Sequence, residues 1–114
     1  MLFILHITHK KDWEMALKEG AYVGETLREE GFIHCSEPQQ LCKVANKLFP
    51  KAPADLELLV IDPEKVHPKI KYEEAEDGEL FPHIYGPLNT DAVIKAVDFK
   101  PDSNGKFSIP DDLL

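Results

Sequence analysis

Two short patterns in this chain pair an imidazole with a hydroxyl two residues on: His6-Ile7-Thr8 and His34-Cys35-Ser36. A histidine changes charge near neutral pH and can act as acid or base, and a hydroxyl beside it can donate or accept. In extended chain the side chains of residues i and i+2 share a face, so each pattern presents its two polar groups together. An apolar run over residues 2–7 leads into the first pattern and Gly31-Phe32-Ile33 leads into the second. Ser36 is followed three residues later by Gln39, the spacing of a capping box, with Pro38 in the first turn and Leu41, Val44, Ala45 and Leu48 at helical spacing behind it. His34 is therefore expected where a strand passes into a helix, a place with free N–H groups and the positive end of a helix dipole. If the two strands are neighbours, both corners open at one end of the sheet and form a cleft. The competing reading for either histidine alone is a structural residue satisfied by a backbone carbonyl, and the doubling of the pattern favours a site.

Two further groups could join such a cleft. His83 and Tyr85 lie in the aromatic, twice proline-interrupted segment Phe81-Pro82-His83-Ile84-Tyr85-Gly86-Pro87-Leu88, expected to be a shaped loop or an edge strand. Tyr85 there can stack on a flat ring or donate its hydroxyl, or simply anchor the loop on the core. Glu73 shares a face with Lys71 in an alternating segment; if that face lines a cleft, Glu73 is a candidate general base or acceptor for sugar hydroxyls, and otherwise it belongs to a solvated acidic strand. Three imidazoles, His6, His34 and His83, could in principle hold zinc, but no His-X-X-X-His or Cys-X-X-Cys spacing occurs and no metal is expected. His9 and His67 read as surface residues. Cys35 and Cys42 are too few for a disulfide framework and read as small packing residues. Adjacent strand residues face opposite ways, which argues against a Cys35/His34 nucleophilic pair.

The elements that must position these groups follow from periodicity. Thr8 is a possible cap for a helix from about Lys10 to Lys18, with Trp13, Ala16 and Leu17 inward and Gly20 at its end. Residues 21–30 suit a loop with a short helical turn, Gly31 opens the next strand, and the helix from Glu37 to Leu48 stops before Pro50. The continuous Leu-Glu-Leu-Leu-Val-Ile run at 56–61 is expected to be a central strand. Residues 69–75 form a half-exposed strand and Glu76-Asp77-Gly78-Glu79 a turn. A helical turn near 91–93, a strand over 94–99 and a last short strand near Phe107 complete the chain. This describes one α+β domain over residues 1–114, helices early and strands late, with no repeats or linkers.

Composition narrows the partners. With 114 residues and 43% hydrophobic content the chain suits one buried core, and its net charge of −8 together with a single arginine, Arg28, disfavours nucleic-acid binding. No apolar run approaches the ~20 residues of a membrane span, no signal-peptide pattern precedes the first strand, and a cytoplasmic location is expected.

Taken together, Leu5-His6-Ile7-Thr8, Gly31-Phe32-Ile33-His34-Cys35-Ser36, Lys71-Tyr72-Glu73 and the aromatic segment 81–88 resemble the small bacterial family catalogued as domain of unknown function 952, in the same order and over nearly the whole chain. That family in turn resembles the ADP-ribosyltransferase superfamily, especially its RNA 2'-phosphotransferase branch, whose members bear a histidine near the first strand and a His-X-Ser opening a helix. The resemblance implies a split, mostly antiparallel β core with flanking helices. It implies NAD as substrate, with His6 at the adenosine ribose or the nicotinamide-side pocket, His34 holding the nicotinamide ribose and Ser36 supporting it. Glu73 stands as the candidate for the catalytic glutamate, the aromatic segment around Tyr85 being the alternative place. The lone Arg28 counts against 2'-phosphate transfer, which needs arginines that grip phosphate. On this reading His34 and Glu73 are catalytic, and His6, Thr8, Ser36, His83 and Tyr85 bind a nucleotide ligand. The alternatives are a noncatalytic nucleotide- or metabolite-binding module and a protein-interaction domain that uses segment 81–88.

Overall fold

The computed structural model describes residues 3–51 and 53–111. Leu2, at the start of the expected first strand, lies outside them. Along the chain run β1 (Ile4–His9), α1 (Lys10–Glu19), β2 (Ala21–Tyr22), α2 (Gly24–Glu30) and β3 (Ile33–His34). One of three 3-10 turns among the described residues, Pro38–Gln40, leads into α3 (Leu41–Leu48), and then come β4 (Leu56–Ile61), β5 (Lys69–Glu74), β6 (Leu80–Tyr85), β7 (Leu88–Asn89) and β8 (Val93–Asp98). All pairings are antiparallel, in sheets ordered β1-β4-β8, β2-β7 and β3-β6-β5. The result is an α+β domain whose strands are spread through the chain, with β1 to β3 interleaved among the helices.

β4 is the middle strand of its sheet, and every residue of it except Glu57 is buried. Its continuous apolar sequence is what a strand covered on both faces requires. Leu59 and Ile61 face one core with Ile4, Trp13, Ile33 and Ile84, whereas Leu56, Leu58 and Val60 face a second with Leu41, Ala45, Phe99 and Phe107. The first core lies beneath the β3-β6-β5 sheet and so carries the candidate site on its far side.

Several expectations are corrected. Thr8 does not cap α1: β1 continues to His9, the N-cap makes no side-chain bond, and Thr8 is buried. Leu17 is exposed, and the inner face of α1 is Trp13 and Ala16. Capping at the second corner moves one residue on, with the N–H of Glu37 donating to Gln40 Oε1 at 2.9 Å. The shift has two causes. Ser36 is held extended by a bridge to Leu5 (N–H to O 2.8 Å, O from N–H 2.7 Å), and Pro38 keeps Glu37 out of the helical region.

Residues 81–85 of the aromatic segment belong to the middle strand of a sheet, not a loop or an edge, and Gly86-Pro87 then connects them to Leu88 in β7. Pro82 is tolerated because its missing N–H would point toward β3 where that strand ends, while its carbonyl still accepts from the N–H of Cys35 at 3.0 Å. Phe107 stacks on Phe99 (centroids 4.7 Å) without forming a strand.

Candidate functional site

Alternation along the β3-β6-β5 sheet sorts its residues onto two faces. The registers Ile33↔Ile84 and Ile70↔Ile84 put three isoleucines inward, and His34↔His83 and Lys71↔His83 put these three side chains outward. Phe32, Phe81, Tyr85, Lys69 and Glu73 fall on the same outward face by the two-residue period. A row of aromatic, imidazole and charged groups is therefore built on strands whose other sides are core.

The groups on this face touch. Phe32 stacks on the His83 ring (centroids 4.2 Å, 21° between planes) and lies 4.7 Å from the His34 ring and 5.3 Å from that of Tyr85. The two imidazoles meet edge to face at 5.1 Å. Glu73 Oε1 accepts from Tyr85 O–H and lies 2.8 Å from His83 Nδ1. These two bonds, that of Tyr85 first, hold the Glu73 carboxyl below its usual range, and the carboxylate in turn raises the Tyr85 phenol. Among the described residues Oε2 of Glu73 makes no hydrogen bond. Lys71 Nζ sits 4.9 Å from the centre of the Tyr85 ring, a cation–π contact. His34 reaches back across the helix end to Glu30, with Nε2 3.1 Å from Oε2.

Beneath this face lies a buried polar chain that starts from His34's own backbone. Ile33 and Ile84 exchange ladder bonds, so the intervening His34 turns its N–H and C=O away from β6. That carbonyl meets His6 Nδ1 at 2.5 Å, and His6 Nε2 lies 2.8 Å from the Tyr22 hydroxyl, which lies 2.9 Å from Thr8 Oγ1. Burial pulls His6 down to about 4 and pushes Tyr22 up to about 12, so both are neutral at pH 7. A neutral His6 whose Nδ1–H donates to the carbonyl has an accepting Nε2; Tyr22 therefore donates to it and Thr8 donates to Tyr22, hydroxyl protons rotating to suit. A Cβ on Gly24 (φ 72°) would come within 2.9 Å of the Tyr22 oxygen, so the start of α2 packs directly on this chain.

The two histidine patterns thus do meet, through backbone rather than through a shared cleft. His6 and Thr8 point together at Tyr22, under the sheet, and the side chains of His34, His83, Glu73 and Tyr85 gather on top of it. Ser36 is buried at the Leu5 bridge. The sequence reading did not single out Phe32 or Tyr22. Phe32 was detectable as the i−2 neighbour of His34 on the same strand face. Tyr22 follows Gly20 in a segment without period, and only the fold brings it to His6. Among the described residues there is no cluster of three or more side chains arranged to hold a metal, and no helix is long and apolar enough to cross a membrane.

The family model described as "protein of unknown function (DUF952)" matches residues 7–96, and the chain belongs to that family. The crystal structure of protein CC0527 from Caulobacter crescentus is similar over 97% of both chains, with a TM-score of 0.87 and 31% identity. The solution NMR structure of the same protein matches with a TM-score of 0.81 over 98% of this chain and 96% of that one. No curated protein matches. Membership establishes the fold, and the chemistry has to be argued from the site.

Proposed function

We propose that this member of the family binds a nucleotide-type ligand, a planar base joined to ribose and phosphate, across the outer face of the β3-β6-β5 sheet, with NAD the first ligand to test. The observation that carries the reading is Glu73. Its Oε1 is held by Tyr85 and His83 while Oε2 is unclaimed, which leaves an oriented anionic acceptor beside a wall of stacked rings. Ribose hydroxyls need such an acceptor, a base needs a flat apolar surface like that of Phe32, and Lys69 and Lys71 stand on the same face for phosphate.

The corresponding reaction is ADP-ribosyltransferase-like cleavage of the nicotinamide–ribose bond. The bonding pair leaves with the nicotinamide nitrogen, positive charge develops at the ribose carbon, and the Glu73 carboxylate stabilises that charge until water or an acceptor hydroxyl attacks and gives up its proton. His34, within reach of the same face, would orient the ribose. His6, Thr8 and Tyr22 hold the His34 backbone in place. A noncatalytic binding module is the second reading, favoured by openness: the side chains of His34 and Glu73 are 44% and 39% exposed, and an open face does little to exclude water.

Thermal shift with NAD and ADP-ribose on wild type, Phe32→Ala and Glu73→Gln, run beside an assay for released nicotinamide, tests both. A shift lost in Phe32→Ala, with nicotinamide release lost in Glu73→Gln, is the enzymatic outcome. A shift without release is the binding-module outcome. No shift with either compound at millimolar concentration removes the nucleotide reading altogether.

A further inference from the structure

We propose that the free edge of β5 pairs with β5 of a second copy of this chain, antiparallel about Tyr72, to make one six-stranded sheet across a two-fold axis. The inference does not depend on the ligand reading above.

It starts from which way the backbone points. The N–H of Ala75 donates to Glu79 O at 2.9 Å, and Gly78 (φ 83°) returns its N–H to Ala75 O at 2.9 Å, so the hairpin begins with Ala75 bonded to β6. Ladder bonds then recur every second residue, at Glu73↔Phe81, Lys71↔His83 and Lys69↔Tyr85. The carbonyl of Pro82 reaching Cys35 on the other side of β6 independently confirms this parity. Ile70, Tyr72 and Glu74 therefore turn their N–H and C=O groups outward. Among the described residues none of these six groups has a hydrogen-bond partner.

A two-fold axis perpendicular to the sheet allows only a few registers. The one that uses all three outward residues pairs Tyr72 with Tyr72 and Ile70 with Glu74 of the second copy. The non-bonded positions between them, where side chains approach most closely, then pair Lys71 with Glu73 of the second copy, twice. Slipping by one allowed step either way sets Lys71 against Lys71 or Glu73 against Glu73. Only the central register is both fully hydrogen-bonded and charge-complementary.

The exposed surface agrees. Tyr72 is 49% exposed at the predicted axis, where the two rings would cover one another. An edge of six residues without proline leaves a row of unpaired N–H and C=O groups that can template a second strand, and its charges restrict which strand fits. The pairing also delivers a second-copy Lys71 to the side of Glu73 whose Oε2 is unclaimed, so each copy adds a cation to the other's candidate site. A carboxylate oxygen has lone pairs for both a lysine and a ligand hydroxyl.

Sedimentation equilibrium on the full chain over a wide concentration range tests this, with three variants. Wild type is expected to show a concentration-dependent mass rising from 12.9 kDa toward twice that value. Tyr72→Pro removes an outward N–H and no ladder bond to β6, and should remain folded by circular dichroism yet stay monomeric. Lys71→Glu turns two attractive pairs into two repulsive ones and should weaken association by about tenfold. Lys71→Glu combined with Glu73→Lys should recover most of that loss. Wild type that remains monomeric at about millimolar concentration, or a dimer indifferent to both Tyr72→Pro and Lys71→Glu, overturns the proposal.

Discussion

His6 makes the fold measurably sensitive to mild acid, and the size of the effect can be worked out in advance. In the folded protein it is buried and neutral, pulled from 6.5 to about 4 by desolvation; in the unfolded chain it titrates near its ordinary value. Between those two values the unfolded state binds a proton that the native state refuses, so stability rises with pH there. The contribution is fully present above 6.5, is lost as pH falls toward 4, and is constant below that. At about 1.4 kcal/mol per pH unit, the interval corresponds to about 3 kcal/mol, a large part of the 5–15 kcal/mol typical of a domain.

The perturbation is His6→Asn, which keeps a donor in reach of the His34 carbonyl and cannot titrate. Urea denaturation of both proteins from pH 7 to pH 4.5, followed by the fluorescence of Trp13, the chain's one tryptophan and a buried one, gives the two pH profiles. The other titratable groups are common to both proteins and cancel in the difference, and the carboxylates of Asp55, Glu73 and Asp98, held low by His9, Tyr85 and Lys10, titrate below this range. The variant is expected to be less stable at pH 7 and to lose less on acidification, so the curves converge. Parallel curves, or a native His6 imidazole whose NMR signals titrate near 6.5, would refute the neutral, locked histidine.

Gly24→Ala should cost about 1–2 kcal/mol, since it forces a side chain into φ 72° and drives a methyl to within 2.9 Å of the Tyr22 oxygen; the loss, read by thermal unfolding, should be absent at Gly31, where an added Cβ meets nothing within 4 Å, beyond the cost of its own positive φ. Ile84→Ala removes a fully buried side chain from the middle of the site sheet and should cost about 3 kcal/mol by denaturant titration, with the His34–His83 ring contact disturbed as well.

The readable parts of this chain are those where one local rule acts alone. The run at 56–61 is apolar on both parities except at Glu57, as a short strand buried on both faces requires. Gly20 ends its helix in the left-handed conformation as its position predicts, and Gly31, read as the opening of a strand, does the same for α2. Misreadings cluster where a long-range contact overrides a local preference. Ser36 has a good capping sequence, but its N–H and carbonyl are taken by Leu5, thirty-one residues earlier in the chain, so the cap passes to Glu37. Pro82 marks an edge or loop by its own chemistry, and becomes a central residue because β3 is only two residues long and ends beside it. Lys71 and Glu73 were placed on one face by alternation alone, and the register with β6 then brought His83 and Tyr85 to that face, which no spacing within either segment could show.

The same parity argument explains why the two histidine patterns ended up on opposite sides of one sheet. A strand residue sends its backbone groups to one neighbour and its side chain to one face, and at β3 these choices alternate together. Ile33 bonds to β6 and faces the core. His34, next along, must turn its carbonyl toward β1 and its ring toward solvent. His6, on β1, finds that carbonyl from below, and burial then keeps its imidazole neutral. Moving His34 by one residue, to the position of Ile33 or Cys35, would bury its ring, and moving His6 to that of Leu5 would turn its ring into the second core and away from the His34 carbonyl, since a one-residue slip inverts every face. The spacing of His34 from Ile33 is thus what makes one histidine a fixed support and leaves the other available to a ligand.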